Sequence, residues 1–272
     1  MPVPHNERMT DDFYDALTPL YHLIYPDWND SIRVQGGQLA RLIDGEWPDA
    51  RGSGAPRRVL DVSCGIGTQA LALAALGHAV TASDLSAGEI ARARHEADTR
   101  GLGIAFSVCD MREAHAHHGG GFDIVMSCDN SMPHLQTDDD LRTALRQMAA
   151  CLRPGGGCVV SVRDYAAEPR GSHLVKHYGA RVENGQRHVL FQVWDFDDGG
   201  QGSHYDLGFY VVSEDLATQA VRTRVMRSRY YAIATERLCE LMREAGLAQV
   251  RRIDGAFFQP VLVGTRPGVG MG

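Results

Sequence analysis

Residues 59–70 read VLDVSCGIGTQA, an apolar run that stops at Gly65-Ile66-Gly67, with the acid Asp61 four residues before the first glycine. The run has the length of a buried strand. Glycines placed directly after it supply positive φ and let a ligand approach the backbone closely. The following TQALALAALG repeats apolar residues at helical spacing. A strand, a tight turn and a helix start leave free amides that favour a carboxylate or phosphate. The spelling Gly65-x-Gly67-x-x-Ala70 also fits the dinucleotide fingerprint, and Asp84 in TASDLS suits ribose hydroxyls under either reading. Taken alone, the loop is open to a nicotinamide nucleotide, to another ligand, or to a turn without a ligand.

Outward from this stretch, between residues 57 and 163, five β-rich runs (RRVLDVS, HAVTAS, IAFSV, FDIVMS, GCVVSVR) alternate with helical segments. Leu141, Leu145, Met148 and Leu152 recur at helical spacing; Asp138 and Asp139 suit the positive end of that helix, and Arg153-Pro154-Gly155-Gly156 stops it. Such alternation predicts an α/β fold: a doubly wound, mostly parallel sheet covered on both faces. After Asp164 the segments 188–197, 203–214 and 222–233 alternate apolar and polar residues without helices between them, which predicts an antiparallel meander over one end of the sheet. A helix at TERLCELMREAG, with Thr235 as N-cap and Gly246 as C-terminal cap, and a strand near AFFQPVLVGTR complete the chain. Two helices, roughly 7–24 and 30–44, precede the first strand. The expected divisions are an N-terminal helical lid (1–50), a cofactor-binding core (51–165), an antiparallel insertion covering the site (166–233), and a C-terminal helix and strand that complete the core (234–266). RGSGAP (51–56) reads as a linker and the tail PGVGMG as frayed.

With 272 residues, 44% hydrophobic and 22% charged, the composition is that of a globular enzyme. No stretch approaches a membrane span, and the polar opening MPVPHNERMTDD lacks the apolar core of a secretory signal, so a cytoplasmic address is expected. The six cysteines, at 64, 109, 128, 151, 158 and 239, form no Cys-x-x-Cys pair. A net charge of −7 argues against nucleic acid as partner. The four arginines of RTRVMRSR (222–229) read as a solvated strand. HAHHGGG (115–121) reads as a solvated loop, since its histidines have no acid partner at ligand spacing, and no metal is expected.

Asp61, Gly65-x-Gly67, Asp84, CDM (109–111), FDIVMSCDNS (122–131) and LRPGG (152–156) follow one another along a single βαβ series. This ensemble resembles the class I S-adenosylmethionine-dependent methyltransferases over about 57–164. The resemblance implies a seven-stranded Rossmann-like sheet and S-adenosyl-L-methionine as cofactor. It implies that Gly65 and Gly67 pass beneath the methionine part, with Asp61 near its ammonium end. Asp84 would take the ribose diol, Leu85 would pack on adenine, Asp110 would accept from the adenine amino group, and Met111 would pack on that ring. Cys128 or its carbonyl would border the methyl. Ser63 and Cys64 stand where the family usually has glycine or alanine. The Asn/Asp-Pro-Pro-aromatic loop common among enzymes acting on exocyclic base amines is absent, CDNSMP standing in its place.

The flanks are similar to glycine and sarcosine N-methyltransferases: FYDALTPLYHLIYPDWNDSI (13–32), CDNSMPHL (128–135) and SVRDY (161–165). That likeness implies that Asn130 contacts cofactor and substrate, with Ser131 beside it, and that Arg163 clamps a substrate carboxylate. Tyr21, Tyr25 and Trp28 would close the pocket, and Arg33 would meet the cofactor carboxylate. Asp129 and His134 are candidates for receiving a proton, and Tyr230 for lining the pocket. Homo-oligomeric assembly is a further implication. The expected activity is methyl transfer to the nitrogen of a small amine, an amino acid or related carboxylate-bearing metabolite. The alternatives are O- or C-methylation of a secondary metabolite, and a cofactor-binding module without turnover.

Overall fold

The computed structural model describes residues 13–48, 52 and 54–268. Residues 7–12 of the first expected helix, parts of the linker at 51 and 53, and the tail from 269 lie outside these. The chain divides into two units: residues 29–166 with 233–272, and residues 1–28 with 167–232.

The first unit is a seven-stranded sheet. β1 (Arg58–Asp61), β2 (Ala79–Asp84), β3 (Ala105–Val108), β4 (Phe122–Ser127) and β5 (Leu152–Ser161) run parallel, while β11 (Val261–Thr265) is antiparallel to β5 and to β10 (Ala248–Ile253). The order is β3-β2-β1-β4-β5-β11-β10, so the winding reverses between β1 and β4. Crevices for ligands form beyond the carboxyl ends of strands at such a reversal. Val59 and Leu60 point to opposite faces and both are fully buried, as a sheet covered on both sides requires.

The helices follow from local chemistry. Helix α1 (Trp28–Glu46) packs on α2 (Thr68–Ala75) at Gly36, where an added Cβ would lie 2.6 Å from the Cβ of Ala72. α3 (Ala87–Thr99) is capped by Ser86, whose Oγ accepts from the amide of Glu89 at 3.0 Å. α4 (Ala114–His118) is one short turn. α5 (Asp138–Cys151) is capped by Thr137 and buries Leu141, Leu145 and Met148 on one face. α6 (Thr235–Glu244) closes with paired bonds from Gly246 to Arg243 and from Leu247 to Met242, Gly246 taking φ +90°.

Four expectations are corrected. Thr235 is the first helical residue rather than the N-cap, and its hydroxyl accepts from Arg252 at 2.9 Å. The HAHH segment forms α4 instead of a loop. β10 is a strand that the expected single C-terminal strand does not include. β5 begins at Leu152, before the Pro-Gly turn: Phe122 pairs with Leu152 and Ile124 with Gly157, so the turn forms a bulge. The glycines of LRPGGG have steric causes. A Cβ on Gly156 would meet the carbonyls of Phe122 and Asp123 at 3.0 Å, and one on Gly157 would enter the Trp47 ring.

The second unit contains an antiparallel sheet in the order β6-β7-β8-β9 (Leu174–Glu183, Gln186–Phe196, His204–Asp215, Val221–Tyr231). The meander was expected, but β6 was not. An Asn184-Gly185 turn with φ of +51° and +75° joins it to β7. Arg222, Arg224 and Arg227 are exposed along β9, as expected, while Arg229 pairs with Asp197 and Asp206. The N-terminal segment enters this unit as helical residues 13–17 and a 3₁₀ stretch, Thr18–Ile24. His22 meets Glu183 at 3.2 Å, and Arg181 donates to the carbonyl of Tyr25 at 3.0 Å.

Candidate functional site at the strand ends

The chain leaves β1 at Asp61, crosses Val62–Ile66, and enters α2 after Gly67. Gly65 and Gly67 adopt φ of +53° and +97°, and the Gly67 amide closes the turn on the Cys64 carbonyl at 2.8 Å. On Gly67 a Cβ would press on Leu71 at 3.2 Å, and on Gly65 it would meet the Glu89 carboxylate at 3.3 Å. The turn is fixed to both neighbouring strands. Cys64 donates to the Ser83 carbonyl on β2, and Ser63 Oγ lies 2.8 Å from Ser127 Oγ on β4.

Asp61 is wholly buried. Its Oδ1 accepts from the Ser63 amide at 3.2 Å, while Oδ2 is buried with no hydrogen-bond partner. Burial raises its pKa to about 7, and the nearby Asp84 charge adds to the rise. Asp84, at the end of β2, accepts from the Gly65 amide at 2.9 Å and the Ser86 amide at 3.0 Å. Leu85 beside it is exposed. The Cys64 thiol is pushed well up, first by burial and then by Asp61, Asp84 and Glu89 together. Three carboxyl groups therefore surround one glycine turn, a setting that favours a cation with an N–H donor directed at Asp61.

At the end of β3, Asp110 caps the 3₁₀ turn Met111–Glu113 and accepts from Arg112 Nε and Nη2 at 3.0 and 2.6 Å. Its carboxylate is thus already in a bidentate pair. Met111 is half-buried next to it.

Beyond β4 the backbone takes an unusual path. Cys128 is buried, then Asp129 and Asn130 adopt φ of +56° and +65° in succession. Left-handed backbone at two adjacent non-glycine residues costs free energy, and the neighbours hold it in place. The Asp129 amide donates to Ser161 Oγ at 2.8 Å and the Asn130 amide to the Ser161 carbonyl at 3.0 Å. Asn130 Nδ2 lies 2.9 Å from the hydroxyl of buried Tyr165, and Asn130 Oδ1 accepts from the Arg163 amide at 3.0 Å. Ser131 donates to the Cys128 carbonyl. His134 is half-buried in the 3₁₀ turn Met132–Leu135, and burial lowers its pKa to about 3, so its ring is neutral near pH 7. Arg163 is half-buried two residues beyond β5.

The structure thus gathers Asp61, Gly65, Gly67, Asp84, Cys128, Asp129, Asn130 and Arg163 at the carboxyl ends of neighbouring strands. Arg33 is exposed on α1 and pairs with Asp30 at 2.6 Å. In the second unit, Tyr21 lies between Tyr14 and Tyr25 at ring distances of 6.2 and 6.5 Å, Trp28 is buried, and Tyr230 stacks on Tyr205 at 5.3 Å. Sequence reasoning missed Glu89, although Ser86-x-x-Glu89 spells a capping box. It also gave no role to Ser161 and Tyr165, although SVRDY (161–165) begins and ends on them.

The methyltransferase-domain family model matches residues 59–156, the stretch from β1 to the β5 bulge. A glycine/sarcosine N-methyltransferase from Parasynechococcus marenigrum is 30% identical over 72% of this chain and 68% of its own length. The chain belongs to the class I S-adenosylmethionine-dependent methyltransferases. An O-methyltransferase from Aspergillus nomiae is 28% identical to this methyltransferase, over 57% of the chain and 68% of the relative. A solved S-adenosylmethionine-bound amino pentose methyltransferase from Micromonospora echinaspora superposes with a TM-score of 0.74 at 22% identity, covering 92% of this chain and 96% of that one, and so shares the fold. The nicotinamide alternative left open by the glycine turn is thereby set aside. The orphaned Asp61 oxygen and the carboxylate-ringed turn suit the cofactor, which carries both an ammonium and a sulfonium. Among the described residues no helix is long and apolar enough to cross a membrane.

Proposed function

We propose that this small-molecule methyltransferase methylates the nitrogen of a small amine that carries a carboxylate, held by the Arg163 guanidinium. The observation that carries this reading is the Asn130–Arg163 link. The Asn130 side-chain oxygen, in the left-handed turn beyond β4, accepts from the backbone amide of the arginine beyond β5. Two of the residues proposed to contact substrate are therefore set by one hydrogen bond. The glycine/sarcosine N-methyltransferase relative supports nitrogen as acceptor.

When bound, S-adenosyl-L-methionine supplies an electrophilic methyl group on sulfur. The protein's part is orientation, which contributes on the order of 7–11 kcal/mol in well-aligned reactions. In this reading Asp61 receives the cofactor ammonium on its unpartnered oxygen, Asp84 the ribose hydroxyls, and Gly65 and Gly67 allow close approach. Leu85 and Met111 flank the adenine, and Asp110 accepts from its amino group while retaining Arg112. Arg33 would have to leave Asp30 to reach the cofactor carboxylate. Asn130 orients the amine and Cys128 borders the methyl. Asp129 is the proposed proton acceptor, since burial makes His134 a weak base with its pKa lowered to about 3. The assignment includes a cytoplasmic, homo-oligomeric enzyme.

The test is Arg163→Lys assayed with an amino-acid panel. Loss of the bidentate fork should raise KM for carboxylate acceptors by about tenfold or more while cofactor affinity holds. An unchanged KM rejects the clamp. The fungal O-methyltransferase relative favours a second reading, a hydroxyl acceptor. Methyl-labelled cofactor offered with amines and phenols in parallel separates the two.

A further inference from the structure

The HAHH segment takes no part in the methyl-transfer reading, and the fold gives it a neighbour that its own spacing lacks. Cys109 follows β3 directly, and His117 and His118 end α4. The Cys109 sulfur and one ring nitrogen from each histidine all lie within 4.8 Å of one another. The two imidazoles meet edge to face at 4.6 Å. We propose that Cys109, His117 and His118 form a binding site for a borderline-soft divalent transition metal of the zinc class, with a fourth position open to water.

The donor set suits that metal class: one thiolate and two imidazoles match zinc or cobalt(II), whereas calcium and magnesium take oxygen ligands. Zinc bonds of about 2.3 Å to sulfur and 2.0–2.1 Å to nitrogen put tetrahedral donors roughly 3.3–3.6 Å apart. The three side chains therefore need to close by at most roughly 1.2–1.5 Å from that 4.8 Å limit, within the range of rotamer adjustment at one exposed and one half-buried histidine. Outer partners are already present. His117 Nε2 lies 3.0 Å from Ser107 Oγ, and His118 Nε2 lies 3.0 Å from Ser83 Oγ. Metal-bound histidines commonly use such a partner on the second ring nitrogen. His118 is neutral near pH 7, because burial and His117 lower its pKa to about 4. Cys109 is buried and its thiol is pushed up to about 11. Binding thus replaces the S–H bond with a metal–sulfur bond and releases one proton to solvent, and water leaves the hydrated ion.

Cobalt(II) titrated into tag-free protein tests the site. The expected result is a near-ultraviolet thiolate-to-cobalt charge-transfer band with intense tetrahedral visible bands, both lost on adding zinc. Cys109→Ser should abolish the charge-transfer band. His117→Ala, at an exposed position whose truncation spares the core, should weaken binding at least tenfold, and His115→Ala should change nothing. Absence of the band at millimolar cobalt, its persistence in Cys109→Ser, or unchanged affinity in His117→Ala would overturn the assignment.

Discussion

The Tyr165 hydroxyl and the Asn130 side-chain amide face one another, 2.9 Å from Nδ2 and 3.3 Å from Oδ1, and both residues are buried. The pair joins the chain beyond β5 to the left-handed turn beyond β4. Tyr165→Phe keeps the ring and removes the hydroxyl. It should cost about 1–2 kcal/mol and lower Tm by a few degrees. If Asn130 orients the acceptor, kcat should fall several-fold while calorimetry finds cofactor affinity unchanged. Loss of stability alone would assign Tyr165 to structure only.

Asp61 makes stability and binding respond to pH in opposite ways. Its folded pKa lies near 7, above the ordinary 3.8. The folded state therefore holds more protons between those values, and stability falls as pH rises through that window. Asp61→Asn should raise the Tm of the ligand-free protein at pH 8, with the gain vanishing near pH 4. The same change should weaken cofactor binding. In the unaltered protein, binding of a cationic group at Asp61 should release protons near pH 7 and cease to do so above pH 8.5. Calorimetry in buffers of different ionisation enthalpy reads this directly.

The glycine turn tolerates no side chain at Gly67. With φ at +97° and Leu71 3.2 Å from the position of an added Cβ, Gly67→Ala should cost about 1–3 kcal/mol. S-adenosylhomocysteine affinity should drop at least tenfold, measured by titration on protein verified as folded by circular dichroism.

Gly36 inverts a propensity rule. Alanine in a helix interior usually gains about 1 kcal/mol over glycine. Here the Cβ would collide with Ala72, so Gly36→Ala should instead destabilise by about 1–3 kcal/mol. Thermal melts decide the sign, and Gly45→Ala on the same helix, where an added Cβ meets nothing within 4 Å, should be neutral or stabilising.

The elements legible from sequence were those with a buried periodic face. The central parallel strands β1 and β4 and the second half of β5 are buried along most of their length, and α5 carries Leu141, Leu145 and Met148 at helical spacing. β6 and β10 give little signal in the sequence because LVKHYGARVE and AQVRRI expose much of their length and mix charges with small residues. The Asn184-Gly185 pair was a readable hairpin signal. At the site, one-dimensional motifs pointed to Asp61, the glycines and Asp84, because those residues are positioned by the strands they end. They could not reveal Asp110 engaged by Arg112, Arg33 turned to Asp30, or Tyr165 on Asn130. The first two pairs join residues two and three positions apart, where several local partners compete, whereas the third joins residues 35 positions apart and depends on the fold.

The paired left-handed residues beyond β4 also limit how relatives of this chain can diverge. Positions 129 and 130 admit glycine, asparagine and aspartate cheaply and exclude branched side chains. Drift toward new acceptors would therefore be expected to spare this corner and to accumulate in side chains around it, where a replacement alters shape without bending the main chain.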